Sequence, residues 1–63
     1  MKEQIYLNER DTLSIIRRKK GIKVKEIAHH VGCSSAMISY FESGKRNFKE
    51  EKFKLYKQYI LDK

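Results

Sequence analysis

The chain has no proline, no tryptophan, one cysteine and three glycines in 63 residues. A single thiol excludes an internal disulfide and fits a reducing compartment. Without proline, helix ends have to be signalled by glycine and by capping residues. No apolar run approaches the roughly 18 residues of a membrane span, and no signal-peptide core is present. Acid is scarce as well: 8 Asp+Glu face 15 Lys+Arg, for a net charge of +7 and a pI near 9.7. Such an excess draws polyanions, of which nucleic acid is the commonest in a cell, although charge alone would also suit an anionic membrane surface. The length predicts one domain over residues 1–63, with a modest core that dimerisation would support.

What is present is concentrated between Val24 and Gly44. Val24, Ile27, Ala28 and Val31 recur at i, i+3, i+4 and i+7. This predicts a short helix over about 24–31 with one apolar stripe. Gly32 stops it, because the residue past a helix end commonly needs φ > 0, where glycine carries no Cβ penalty. Ser34 follows as a cap, its hydroxyl placed to accept from a free backbone N–H. A second helix over about 35–43 turns Ile38 and Phe41 inward, and Gly44 ends it. Helix, glycine turn, capped helix, glycine is the layout of a helix-turn-helix over about 24–43.

The flanks are less sharply marked. Residues 1–8 hold Ile5, Tyr6 and Leu7 in a row, too short a run to define a strand. They are expected to be either an extended arm or a flexible, frayed terminus stapled by Leu7. Asn8, Glu9 and Asp11 form a helix-start signal, which places helix 1 from there to about Lys20. Leu13 and Ile16 face inward, with Ile15 a further candidate. The last turn carries Arg17, Arg18, Lys19 and Lys20, either a solvated end of favourable sign or a stripe along a phosphate backbone. Helix 4 is placed over about Lys49 to Leu61. On a helical wheel Phe48, Leu55 and Tyr59 line up, flanked by Phe53, Tyr56 and Ile60 in an arc of roughly 160°, with Leu61 outside it. The expected fold class is all-α, a compact domain of four helices and five at most.

Catalysis finds little support in these residues. An enzyme needs a nucleophile, an acid and a base, or a metal, gathered in a pocket. His29 and His30 point about 100° apart on a helix and cannot share a metal without further ligands. His30 and Cys33 form an i, i+3 pair, but two ligands are not a site, and Gly32 separates them. The histidines are expected on exposed helix surface and Cys33 as a packed thiol. No enzyme activity, cofactor or metal is expected.

The set Ala28, Gly32, Ser34, Ile38-Ser39 and Glu42-x-Gly44, with Arg17 upstream and Lys45-Arg46 downstream, resembles a known family. It is similar to the Cro and lambda-repressor-like (XRE) helix-turn-helix domains, over roughly residues 10–48. The resemblance implies a lambda-repressor-like fold and a sequence-specific double-stranded DNA-binding transcription regulator. It further implies a repressor of phage or mobile-element type, cytoplasmic and nucleoid-associated. The helix over 35–43 would enter the major groove, with Ser35, Ala36, Ser39 and Tyr40 at base edges. Serine is a permissive base reader, Ala36 offers apolar contact to a thymine methyl, and Tyr40 reaches a base or a phosphate. Phosphate contacts would fall to Lys23, Lys25, Met37, Lys45, Arg46 and Asn47, helped by backbone N–H groups at the two helix starts. Arg17 and Glu42 match the two positions of a partly buried ion pair joining helix 1 to the end of helix 3.

Some positions depart from that pattern. The first residue of helix 2, commonly a phosphate-touching glutamine, is Val24, and the cap before it is Lys23 rather than Ser, Thr or Asn. Lys23 and Lys25 are expected to hold phosphate as point charges instead. The base-reading set lacks Gln, Asn and Arg, so DNA shape is expected to carry part of the specificity. A Cro-like repressor binds a palindromic operator as a homodimer. The candidate dimer surface is Tyr56, Tyr59, Ile60 and Leu61 of helix 4, or alternatively Ile5 to Leu7. Two other functions stay open: a helix-turn-helix that binds protein, as an antirepressor or adaptor, and a non-specific architectural DNA binder. No membrane or small-molecule partner is expected.

Overall fold

In the computed structural model, which describes the backbone of residues 2–63 and the side chains of residues 9–63, four helices follow one another. They are α1 over Lys2–Lys19, α2 over Val24–Val31, α3 over Ser35–Glu42 and α4 over Glu50–Asp62. Among the described residues there is no strand. The fold is all-α.

The start of α1 differs from expectation. The backbone of residues 2–8 is helical, so Asn8 lies inside the helix and no extended arm precedes it. Lys2, Glu3, Gln4 and Leu7 are good helix formers, and no glycine or proline interrupts them. Propensity overrides the start signal at Asn8. The packing and dimer roles expected of the Ile5, Tyr6 and Leu7 side chains lie outside the described residues.

α2 and the turn after it follow the predicted pattern. Ile27, Ala28 and Val31 are buried, and Val24 packs half-buried against the same core. The helix ends where Gly32 adopts φ 85° and ψ 38°, its N–H donating to the Ala28 carbonyl at 2.9 Å. A Cβ added at Gly32 would have only the Lys52 Nζ, at 4.0 Å, for company. Space is therefore not the constraint, and the left-handed backbone is. Gly32→Ala is expected to cost about 1–2 kcal/mol, the penalty for an L side chain at positive φ. The check is a urea midpoint that falls at constant slope; an unchanged midpoint would contradict it.

Ser34 then caps α3 from an extended conformation, its Oγ accepting from the Met37 N–H at 3.1 Å. Ile38 and Phe41 are buried. α2 packs against both α3 and α4, and α1 lies across α3 and α4.

α4 closes the core along Tyr56 and Ile60, both fully buried, with Phe53, Leu55 and Tyr59 half-buried beside them. The inward line is therefore this i, i+4 pair, and Leu55 and Tyr59 flank it. Phe48 precedes the helix and stacks on Phe41 at 4.1 Å, while Tyr56 meets Phe41 edge-on at 5.1 Å. Offset-stacked and edge-on pairs of this kind add to what area burial alone contributes. Because Tyr56 and Ile60 fill the domain's own core, they cannot form the dimer surface expected of them. Half-buried Tyr59 and Leu61, the latter 51% exposed, remain. Ile15 is equally exposed at 51%, since it lies one helical step from the packed Ile16.

Candidate nucleic-acid interface

The joint that holds α3 against α1 is built from three polar side chains. Arg17 grips Glu42 with two parallel bonds, Nε to Oε2 at 2.7 Å and Nη2 to Oε1 at 2.9 Å. Its remaining terminal nitrogen, Nη1, donates to the Ile22 carbonyl at 2.7 Å. The Tyr56 hydroxyl donates to Glu42 Oε2 at 2.7 Å. Arg17 and Glu42 are only 8% and 6% exposed, so the expected ion pair is present and buried. The Glu42 bond, working against desolvation, raises the Arg17 guanidinium above its ordinary value. Burial first, and then the bond to Glu42, pushes the Tyr56 phenol well above the usual tyrosine range. Tyr56 therefore stays a donor, and its contribution to stability is present below pH 10 and lost above it, where unfolded tyrosines ionise first. Tyr56 reads in the sequence as a core aromatic. A phenol on the α4 face that meets the end of α3 is the signal that it is also a polar partner.

With Ile38 and Phe41 inward and Glu42 tied to Arg17, the outward face of α3 consists of Ser35, Ala36, Ser39 and Tyr40, all exposed. Tyr40 is 46% exposed. These are the four residues expected at base edges, and α3 brings them to one surface. Met37 is half-buried and apolar, which removes it as a side-chain phosphate partner; its N–H is already bonded to Ser34.

The basic loop after α3 is fastened to this helix. Gly44, at φ 83°, reverses the chain so that the Lys45 and Arg46 N–H groups both donate to the Tyr40 carbonyl, at 2.9 and 3.2 Å. The Ser43 hydroxyl donates to the same oxygen at 3.1 Å. Lys45, Arg46 and Asn47 are exposed beside it. Arg10 of α1, absent from the expected set, lies over the turn. Its guanidinium sits 6.0 Å from the Phe41 ring centre, and a Cβ at Gly44 would come within 3.2 Å of its Nη2. The signal for Arg10 is its i, i+3, i+7 spacing with Leu13 and Arg17 on the packed face of α1.

At the start of α2, Lys23 and Lys25 are exposed, and no side chain caps the helix from Lys23. Val24 packs inward, so the glutamine-like role is unfilled by a side chain. Glu26, on the first turn, accepts from Lys63 and from the Tyr59 hydroxyl, tying α2 to the end of α4. Lys63 first, then Tyr59, with a smaller pull from the Lys23 backbone amide, hold the Glu26 carboxyl down at about 2. Its folded pKa is depressed, so its stabilising contribution is present above pH 4.5 and lost as pH falls through about 2. Carboxyl chemical shifts should give a Glu26 midpoint near 2, moving upward in Lys63→Met. A midpoint of 4.5 in the wild-type chain would remove the linkage.

The rest of the basic cluster on α1 divides. Arg17 is spent on Glu42, and Lys20 donates to the Ile60 carbonyl at 2.7 Å near the end of α4, where a cation is favoured. Arg18 and Lys19 are exposed. His29 and His30 are on the surface as expected, the His30 ring 4.7 Å from that of Tyr59. Cys33 is half-buried, and burial pushes its thiol up, away from thiolate reactivity. Among the described residues, no three His, Cys, Asp or Glu side chains are placed to hold a metal ion, and no helix is long and apolar enough to cross a membrane. No family model, curated protein or solved structure matches this chain.

Proposed function

We propose that this chain is a sequence-specific double-stranded DNA-binding transcription regulator of the Cro-like kind, acting as a repressor. α3 lies in the major groove, and the loop after it and the start of α2 hold the phosphate backbone. One observation carries the reading. The uncharged exposed face of α3 is followed directly by exposed Lys45 and Arg46, both fastened by their backbone to the Tyr40 carbonyl of that helix. A readout surface whose phosphate anchors are fixed to it in register is what groove recognition needs, since phosphate contacts position the protein and base contacts specify the site. The net charge of +7 supplies the sequence-independent attraction. The protein binds as a homodimer to a two-fold operator, each subunit contributing one α3.

Titration of the labelled protein with duplex DNA, followed by amide chemical shifts, tests this placement. Shifts are expected at Lys23 to Lys25, Ser34 to Tyr40 and Lys45 to Asn47. Shifts confined to the outer face of α4, around Lys54 and Gln58, would contradict it. The absence of any charged group among Ser35, Ala36, Ser39 and Tyr40 favours a second reading, in which the same face binds protein as an antirepressor or adaptor. That reading predicts no preference for any duplex sequence.

A further inference from the structure

We infer that the DNA face met by α3 is rich in A·T pairs and is read chiefly through thymine C5-methyl groups. The inference rests on the double-stranded DNA reading above and goes further by naming the base chemistry that the helix selects.

Every side chain of α3 that is able to make a strong polar base contact is missing or engaged. Ser35–Glu42 contains no Arg, Lys, Asn, Gln or His. Its one charged residue, Glu42, is 6% exposed and bonded to both Arg17 and Tyr56. Guanine is picked out in the major groove by a bidentate cation on O6 and N7, adenine by a bidentate amide on N6 and N7, and cytosine by a carboxylate on N4. None of these three devices exists on the exposed face. Lys45 and Arg46 lie outside the helix, after the turn at Gly44, and serve as phosphate anchors in the reading above.

What the face does present is compact and partly apolar. It has the Ala36 methyl, the two small hydroxyls of Ser35 and Ser39, and the Tyr40 ring. The one apolar group on any base edge in the major groove is the thymine methyl. Serine hydroxyls donate or accept and so exclude no base. Discrimination therefore falls to contact between Ala36, Tyr40 and thymine methyls.

The test uses the full chain and the duplex it enriches from a random pool. Thymines under α3 are replaced one at a time by deoxyuridine, which deletes only the methyl. Affinity should drop about 4-fold for each contacted methyl, the transfer value of one buried carbon group. Replacing a cytosine by 5-methylcytosine in a weak site with C in place of a contacted T should restore a similar factor. In Ala36→Gly, with folding verified by circular dichroism, the deoxyuridine penalty at its contact should vanish. A defined site with G·C pairs under α3 and no response to deoxyuridine would overturn this inference while leaving the DNA reading intact. Retention of no sequence at all would overturn both.

Discussion

Replacing Glu42 by alanine is expected to remove about 3–5 kcal/mol of folding stability, the cost of stranding a buried charge. Arg17 would keep its guanidinium at 8% exposure with only the Ile22 carbonyl for a partner. The Tyr56 hydroxyl, in a fully buried side chain, would lose its acceptor too. A chain of 63 residues has a total stability of roughly 3–9 kcal/mol at the usual value per residue. The substitution therefore takes a large share of the whole, and an Ala variant that is unfolded at room temperature agrees with the expectation. Urea unfolding of Glu42→Ala measures it, and a loss below about 1 kcal/mol would mean that the pair behaves as an exposed one. Tyr56→Phe deletes one bond to a charged group and should cost less, about 1.5–3 kcal/mol. The triple variant Arg17→Met, Glu42→Leu, Tyr56→Phe should regain most of the Glu42→Ala loss, because apolar replacement of a whole buried network is often neutral. It should fall short of full recovery, since the Ile22 carbonyl then lacks its donor.

The second large effect concerns binding. Lys45→Ala with Arg46→Ala should flatten the slope of log K against log salt by about 1.8, two phosphate contacts at 0.9 each. Taken to about 0.15 M salt, the same two contacts correspond to roughly 30-fold in affinity. Both side chains are exposed, so folding stability should stay within about 0.5 kcal/mol of wild type. The loss should be equal on specific and random duplexes, because phosphate contacts carry no sequence information. A loss restricted to the specific site would reassign one of them to a base edge. Tyr40→Ala, by contrast, should leave the salt slope unchanged and alter only the preference among sites.

The helix-turn-helix was legible because its punctuation is local. Gly32 must be left-handed to end α2, Ser34 must cap α3, and the apolar stripes of both helices have only one way to face. Those signals set their boundaries to within a residue. The Arg17–Glu42 pair lies 25 residues apart in sequence, and only the family resemblance, not periodicity, points to it. What escaped had a competing local signal or depended on three dimensions. Asn8, Glu9 and Asp11 look like a helix start although the helix is already under way there. The adjacent isoleucines 15 and 16 both look inward until packing chooses one. Tyr56, Tyr59 and Ile60 share one wide apolar arc, and only packing decides that Tyr56 and Ile60 are core while Tyr59 stays half-buried. Arg10 and Tyr56 gain their roles from residues more than ten positions away, Gly44 for the first and Glu42 for the second.

The proposed role requires α3 to read duplex sequence as one half of a symmetric pair. Selection from random duplex DNA with the purified protein, at about 150 mM salt where non-specific attachment is weakened, tests that most directly. The expected result is a two-fold symmetric motif whose half-sites lie about 10 bp apart, centre to centre. Enrichment of no sequence would contradict the proposal and leave the exposed face of α3 as a surface for protein.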